Sequence, residues 1–263
     1  MLTIHKLSVL VDHKQVLNDF DASFELGENY CIIGKNGSGK SSLAMSIMWH
    51  PHYQIDTWSI MLQWESTFLD WWVSDLLKQR SPDYDLNTII VSDLTPDIRS
   101  KLGIFVAFQH IPEVKWVKLF EFLRTIYNAK RSTNETFLSF KKIIEPLVAS
   151  LDIDRDFLRR DLNVGFSGGE RRKIEILQVT LLKPRYIILD EVDSWLDVDA
   201  FKSVAQLLQR FNSSENTFII ITHYFHIVEY MPIDHVYLMR WWSIDQRGWS
   251  ELIEKIKKDW FWN

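Results

Sequence analysis

The sequence GKNGSGKS, residues 34–41, lies between the apolar run Tyr30–Ile33 and a segment, Ser41–Met48, whose apolar residues have helical spacing. It satisfies the pattern G-x-x-x-x-G-K-[ST] of a phosphate-binding loop, in the required context between a buried strand and a helix. Glycines let such a loop curl until successive backbone N–H groups point at one anion, and the positive end of the following helix adds to the attraction. The alternative is a glycine-rich turn that merely precedes a helix, and motif and context together favour a nucleotide site.

Two residues of this loop carry specific chemistry. Lys40 would reach the β- and γ-phosphates of the nucleotide, and the hydroxyl of Ser41 would be a ligand of Mg²⁺. The residues predicted to bind the cofactor ATP are Gly34, Lys35, Asn36, Gly37, Ser38, Gly39, Lys40, Ser41 and Ser42.

A pair of carboxylates follows a second apolar run. Asp190 and Glu191 come directly after Tyr186–Leu189, and ligands of open α/β sheets bind at the carboxyl ends of the strands. We expect Asp190 to hold the Mg²⁺ through water, and Glu191 to act as a catalytic residue that orients and polarises the attacking water. The alternative is that the two acids cap a helix, which is less consistent with a phosphate loop in the same chain.

Further apolar runs predict the rest of a sheet. Strands alternating with helical stretches indicate an α/β fold with a mainly parallel sheet that is covered on both faces. The additional strands are expected at Leu2–Val11, Ile104–Phe108, Phe218–Ile221 and Val236–Met239, with a helix at Ala200–Phe211.

The middle of the chain has a different pattern. From Val117 to Leu158 the apolar residues are spaced for helices and no strand is expected, which indicates an inserted helical subdomain. Residues 65–100, which include Pro82 and Pro96 and have mixed polarity, are interpreted as a variable insertion to which no role is assigned.

Composition narrows the functional class. The chain of 263 residues is 46% hydrophobic and 25% charged, which is typical of a globular domain able to bury a core. A net charge of −5 argues against nucleic acid as a partner, and the basic run Arg171–Lys173 is interpreted as a solvated helix face. The sequence has no run of about 18 apolar residues, the length that a membrane span needs, so direct insertion into a membrane is not expected. The single cysteine, Cys31, would be a buried core residue in a reducing, cytoplasmic compartment.

The pentapeptide FSGGE, residues 166–170, indicates a second phosphate-binding element, because residues 34–41 already complete the first. It resembles the signature motif of ABC ATPases, which also lies between the phosphate loop and the paired carboxylates. Two copies face each other head to tail in that family. The resemblance therefore implies that Ser167, Gly168 and Gly169 close over the nucleotide held by a second copy of the chain, and that the activity is Mg²⁺-dependent ATP hydrolysis.

Other elements of the family occur in the same order here. Gln109 matches the glutamine that senses the metal and the attacking water, so it is expected to be catalytic and to join Ser41 and Asp190 at the Mg²⁺. His223 matches the histidine that contacts the γ-phosphate, which implies a catalytic role. Asp193–Asp197 matches the segment known as the D-loop.

A closer resemblance is carried by residues 108–112, 163–170, 175–178, 190–194, 196–200 and 221–224. These segments are similar to those of the SufC family, the ATPase subunits of the SUF iron–sulfur cluster assembly system. The resemblance implies that SufB-like and SufD-like scaffold subunits are the partners and that iron and sulfide chemistry belongs to them.

The alternative is the nucleotide-binding subunit of an ABC membrane transporter, which would bind its permease on the same surface. An ABC protein of ribosomes or DNA would usually have two cassettes or a coiled-coil insertion, and neither is visible.

The resemblance covers almost the whole chain and implies its architecture. The fold would be a P-loop NTPase of the ABC ATPase type, with a mainly parallel sheet, an antiparallel β part and an inserted helical subdomain. Residues 1–263 would form a single ABC ATPase domain. Its nucleotide-binding core would comprise about residues 1–110 and 160–263, its helical subdomain about 111–159, and its variable insertion about 65–100.

Tryptophan is unusually frequent and glycine unusually rare. The chain has twelve tryptophans and nine glycines, whereas glycine usually makes up about 7% of a protein. Several tryptophans stand at turns or at the ends of predicted elements, and Trp195 stands in the D-loop, where the family has a small residue. We hypothesise that the source organism reads the codon UGA as glycine and that this sequence was translated with UGA as tryptophan. The alternative is a tryptophan-rich surface that binds a partner.

Overall fold

A computed structural model describes residues 1–63, 71–80, 85, 87–192, 198–223 and 227–260. Within those ranges the chain forms twelve β-strands and eight α-helices. The strands are β1 Leu2–Val11, β2 Lys14–Phe24, β3 Tyr30–Gly34, β4 Gln54–Gln63, β5 Thr88–Ile90, β6 Ile104–Ala107, β7 Val114–Lys118, β8 Asp161–Leu162, β9 Tyr186–Asp190, β10 Thr217–Thr222, β11 His235–Arg240 and β12 Ser243–Trp249. The helices are α1 Lys40–Ile47, α2 Trp71–Arg80, α3 Pro96–Lys101, α4 Leu119–Arg131, α5 Phe137–Ser150, α6 Gly168–Leu182, α7 Val198–Phe211 and α8 Glu251–Trp260.

A six-stranded sheet in the order β12-β11-β3-β10-β9-β6 forms the centre of the fold. Strands β11, β3, β10, β9 and β6 are parallel to one another, and β12 pairs antiparallel with β11 at the edge. The carboxyl ends of parallel strands meet at one edge of a sheet. The phosphate loop after β3, Asp190 at the end of β9, His223 after β10 and Gln109 after β6 therefore reach the same edge.

The central strands β3, β9 and β10 of this sheet are buried on both faces. In β3, Cys31 and Ile33 belong to one core, which also contains residues of α4, α5, α6, α7 and α8. Tyr30 and Ile32 belong to the other core, together with residues of α1, β1 and β2. Successive side chains of a strand point to opposite faces, so a strand between two cores needs apolar residues throughout. This explains the unbroken apolar runs and confirms the prediction of a mainly parallel sheet covered on both faces.

The antiparallel part is a separate four-stranded sheet in the order β2-β1-β4-β5. Strand β1 has the bounds expected from the sequence, whereas β2 and β4 were not predicted. The pairing of β1 with β2 shifts register between Leu7, opposite Phe20, and Val9, opposite Leu17. Such an irregularity interrupts the alternation of apolar and polar residues by which a half-buried strand is recognised.

The middle of the chain is mainly helical but includes a small sheet. Strand β7 pairs antiparallel with β8, so Val117 and Lys118 lie in a strand where only helices were expected. Four of the five residues of β7 are exposed, and an exposed strand has no apolar pattern to reveal it. The stretch at 65–100 contributes α2, β5 and α3 in its described part, and Leu77 and Ile89 are buried in the core that contains α1.

Candidate active site

The phosphate loop joins β3 to α1 through a tight backbone path. Gly39 is the N-cap residue of α1 and has φ of 100°, in the left-handed region that favours glycine. A Cβ at this position would lie 2.5 Å from the carbonyl oxygen of Val16, so a side chain is excluded. Within the loop, the backbone N–H of Ser38 donates to the carbonyl of Lys35 at 3.1 Å. The loop thus leads directly into the positive end of a helix, as an anion site requires.

Lys40 is buried against this loop and has a side chain only 4% exposed. Its Nζ donates to the carbonyl oxygens of Gly34 at 2.8 Å and Lys35 at 3.2 Å. Burial lowers the pKa of Lys40, and the nearby carboxylates of Glu191 and Asp190 act in the opposite direction. Two carbonyls and two acids therefore hold this cation over the phosphate loop.

Asp190 is fully buried at the end of β9 and fits a metal site. Its Oδ1 accepts a hydrogen bond from Ser41 Oγ at 2.9 Å, and its Oδ2 is buried without a hydrogen-bond partner. Burial raises the pKa of Asp190 to about 6. A carboxylate oxygen that lacks a partner, beside a serine hydroxyl, is the hard oxygen donor set that Mg²⁺ prefers, so these residues fit that ion.

Glu191 is held on both oxygens by the two polar residues expected at the site. Gln109 Nε2 donates to Oε2 at 2.7 Å, and His223 Nδ1 lies 3.0 Å from Oε1. The backbone of Glu191 has φ of 47°, a conformation that non-glycine residues rarely adopt, and its N–H donates to Ile221 at 2.9 Å. This carboxylate is therefore fixed in position and direction from both sides.

Within one copy of the chain, the hydrogen bonds that the structure describes for Ser167 join it to its own helix. Ser167 is exposed and is the N-cap of α6, where its Oγ accepts from the backbone N–H of Glu170 at 3.3 Å. The Glu170 carboxylate in turn accepts from the backbone N–H of Ser167 at 2.7 Å, which completes a capping box. Gly168 and Gly169 form the first turn of the helix. The segment is thus a preformed helix N-terminus that faces solvent.

Arg172 is a site residue that the sequence interpretation missed. The basic run was expected to be a solvated helix face, but Arg172 is only 5% exposed, so that expectation is wrong for this residue. Its guanidinium donates to the carbonyls of Phe108 at 2.8 Å and Gln109 at 3.2 Å. It also pairs with Glu175 at 2.5 Å. Arg172 therefore ties the signature helix to the backbone that carries Gln109.

A helical pattern could have revealed this burial. Arg172, Glu175, Ile176 and Val179 follow the spacing of one helix face, and all four are buried. Burial raises the pKa of Glu175 to about 7, and the positive charge of Arg172 offsets only part of this rise. The charges of the run 171–173 suggest a solvated face, whereas the register of Arg172 with the apolar residues of α6 indicates a buried one.

The predicted D-loop, Asp193–Asp197, lies outside the described residues, as does Trp195 within it. Of the other predicted residues, the structure brings together Lys40, Ser41, Asp190, Glu191, Gln109 and His223 by direct contacts.

This cluster, on this fold, defines a P-loop ATPase in which the paired carboxylates Asp190 and Glu191 lie beside the phosphate loop. The sequence profile described as ABC transporter matches residues 17–194, which is more than half of the chain. The chain therefore belongs to the ABC transporter family. ATP hydrolysis with Mg²⁺ is the activity of that family's cassettes, and this chain is accordingly an ATPase with ATP and Mg²⁺ as its cofactors.

Individual relatives refine this placement. The chain is 37% identical over 262 residues to the probable ATP-dependent transporter ycf16 of Antithamnion sp., covering 98% of this chain and 95% of that protein. It is 37% identical over 250 residues to the iron–sulfur cluster assembly protein SufC of Plasmodium berghei (strain Anka), covering 94% of this chain and 62% of that protein. The resemblance to SufC proteins predicted from the motifs is thereby confirmed.

Solved structures confirm the predicted fold. The dimeric bacterial ABC transporter cassette MJ0796 is similar with a TM-score of 0.72 at 16% identity, covering 95% of this chain and 98% of that chain. A nucleotide-free ATP-binding cassette from an ABC transporter is similar with a TM-score of 0.71 at 20% identity, covering 98% of this chain and 95% of that chain. No helix in the ranges that the structure describes is both long enough and apolar enough to span a membrane.

Proposed function

We infer that this chain is the ATP-hydrolysing subunit of a cytoplasmic iron–sulfur cluster assembly scaffold, and that two copies pair head to tail to complete each ATP site. The pairing is supported by one observation above all. Ser167 caps an exposed helix N-terminus, whereas the phosphate loop and both acids form a contact cluster without it. The role in assembly is supported by the SufC relative and by the motifs shared with that family.

The residues of the cluster have separate tasks in hydrolysis. The loop amides and Lys40 bind the triphosphate, and Ser41 and Asp190 hold Mg²⁺, which offsets charge on the phosphate oxygens when it is bound. Glu191 orients and polarises the attacking water, because hydrogen bonds from both sides fix its carboxylate. The Ser167 segment of the second copy contributes helix N–H groups at the open side of the nucleotide.

Closure of the two copies would act on subunits bound beside Gln109. Exposed apolar residues occur at the start of α5, which packs against α6, where Phe137 is 53% and Leu138 is 70% exposed. Exposed apolar side chains that cluster favour protein contacts. Arg172 links the backbone of Gln109 to α6, so nucleotide contacts and partner contacts share one connected segment. We assign this surface to SufB-like and SufD-like subunits.

A second candidate function is the nucleotide-binding subunit of an ABC membrane transporter. It is favoured by the relative described as a probable ATP-dependent transporter. In that case a permease would occupy the surface around Leu138, and the hydrolytic chemistry would be unchanged.

Affinity purification from the native cells distinguishes the two functions. The tagged chain should co-purify scaffold proteins of the SufB and SufD type, and Leu138→Asp should weaken that co-purification. The matched control is Leu26→Asp, at an exposed leucine that follows β2 and is 39% exposed, which should leave it unchanged. Recovery of an integral membrane permease instead of scaffold proteins would contradict the leading function and support the second.

A further inference from the structure

Tryptophan residues occupy backbone conformations that suit glycine. The structure describes the side chains of five tryptophans: Trp49, Trp116, Trp241, Trp242 and Trp249. The first four have φ of 54°, 67°, 50° and 68°, in the left-handed region. In that region the Cβ of an L-residue approaches its own carbonyl oxygen, and glycine alone enters it freely. The chain has 16 phenylalanines and 8 tyrosines, and none in the described ranges has positive φ.

Trp49 ends a helix in the motif that usually carries glycine. Helix α1 ends at Ile47, and Met48 is its C-cap. The N–H of Trp49 donates to Ser46 at 3.0 Å, and the N–H of the next residue, His50, donates to Met45 at 2.9 Å. These two hydrogen bonds, together with the left-handed conformation of Trp49 directly after the C-cap, form a Schellman motif. Its left-handed residue is usually glycine because a Cβ is unfavourable there.

Trp241 and Trp242 form the two-residue turn of the β11–β12 hairpin. Arg240 and Ser243 pair directly across the strands, so the two tryptophans alone connect them. Positive φ at both central residues is the mark of a type I′ turn, which Asn-Gly, Asp-Gly and Gly-Gly sequences favour. A pair of adjacent indoles is thus placed where the turn type favours glycine or a short polar side chain.

Trp116 lies at an irregularity in a strand pair. The register of β7 against β8 shifts between Val114, opposite Leu162, and Lys118, opposite Asp161. A left-handed residue within such an irregular strand pairing is most readily a glycine. The Trp116 side chain is 91% exposed, whereas an indole is normally highly buried.

A partner-binding tryptophan surface does not explain these observations. The four residues lie on three separate elements, at the end of α1, in β7 and between β11 and β12. A partner could select exposed indoles, but it has no need for left-handed backbone at each of them. Glycine at all twelve tryptophan positions would raise the glycine count from nine to 21, about 8% of the chain, against a usual share of about 7%.

We propose that the native protein contains glycine at the positions written as tryptophan, because the cell that makes it reads UGA as glycine. Three backbone sites that favour glycine and the composition of the chain lead to the same assignment. Trp241 and Trp242 also line a cavity of about 520 Å³ beside residues 35–38 of the phosphate loop. Glycine at both positions would remove two indoles from the border of the nucleotide site.

The direct test is the intact mass of the protein purified from its native cells, with peptide sequencing across residues 235–250. Glycine at 241, 242 and 249, and a mass well below the 31.3 kDa of the written chain, are the expected results. A mass that matches twelve tryptophans would overturn the proposal, whether or not a partner binds them.

A second test uses the recombinant chain as written. Trp49→Gly and the double change Trp241→Gly and Trp242→Gly should each raise Tm, by about 2–4 °C per position. The matched variants with alanine should gain less, because they remove the indole but keep the Cβ. Trp249→Gly is the control, since Trp249 lies in a strand without positive φ and should not gain. Glycine variants no more stable than the alanine variants would contradict the conformational argument.

Discussion

Replacement of Asp190, the proposed metal ligand, by asparagine should stabilise the protein when it is free of nucleotide and metal. Asp190 is fully buried with one unpartnered oxygen, and burial raises its pKa from an ordinary 3.8 to about 6. A raised carboxyl pKa means that the folded state binds the proton more tightly than the unfolded state. The contribution of this group to stability is therefore present below pH 4 and is lost as the pH rises through 6.

The magnitude follows from the two pKa values. A difference of roughly 2 units at about 1.36 kcal/mol per unit corresponds to about 3 kcal/mol of destabilisation at pH 7, and about 1.5 kcal/mol at pH 5. Asparagine at position 190 carries no charge and can still accept the hydrogen bond from Ser41. The variant should thus be more stable than the parent at pH 7 by up to about 3 kcal/mol, with the gain shrinking towards zero below pH 4.

Chemical denaturation in the presence of EDTA at a series of pH values measures this difference. Asp75→Asn, at an exposed aspartate of α2, is the matched control and should change stability by less than about 0.5 kcal/mol. Mg²⁺ with ATP should raise the stability of the parent but much less that of Asp190→Asn. A variant less stable than the parent at pH 7, or a difference that does not vary with pH, would refute the reasoning.

Two further changes probe the catalytic cluster. Glu191→Gln should keep ATP binding but lower kcat by at least about 100-fold in turnover assays. The variant should also be trapped as a nucleotide-bound dimer, which sedimentation would show. Undiminished hydrolysis would remove Glu191 from its role. Arg172→Met should destabilise the fold by about 3–5 kcal/mol in unfolding experiments, because it leaves buried Glu175 unpaired. Adding Glu175→Leu should restore stability but not kcat, since the carbonyl of Gln109 still lacks its donor; full recovery of kcat would make Arg172 purely structural.

The sequence predicted those parts of the site that depend on local order. The phosphate loop, Asp190 and Glu191 each follow an apolar strand, and a strand between two cores is recognisable without knowledge of its neighbours. Gln109 and His223 were assigned from the resemblance to the motifs of ABC ATPases, and both follow strands that end on the same edge of the sheet. Their placement follows from the rule that parallel strands share a carboxyl edge.

Features set by distant contacts were not predictable in the same way. The burial of Arg172 depends on carbonyls 63 and 64 residues away in the chain. Strand β2 pairs with β1 through shifted registers, which interrupt its alternating pattern. The left-handed backbone at Trp241 and Trp242 is a property of the hairpin, although the composition had already suggested that tryptophan is misplaced in turns.

Mixing two inactive variants tests most directly the claim that each ATP site is shared between copies. Lys40→Met disables the phosphate loop, and Ser167→Asp keeps a good N-cap for α6 but sets a carboxylate against the triphosphate. Both variants are made in a chain that carries the native residues at the twelve tryptophan positions, as the intact mass of the native protein identifies them. Each alone should be inactive, and an equal mixture should regain roughly a quarter of the parent activity if copies pair at random. A mixture that stays inactive, or full hydrolysis by Ser167→Asp alone, would contradict a shared site.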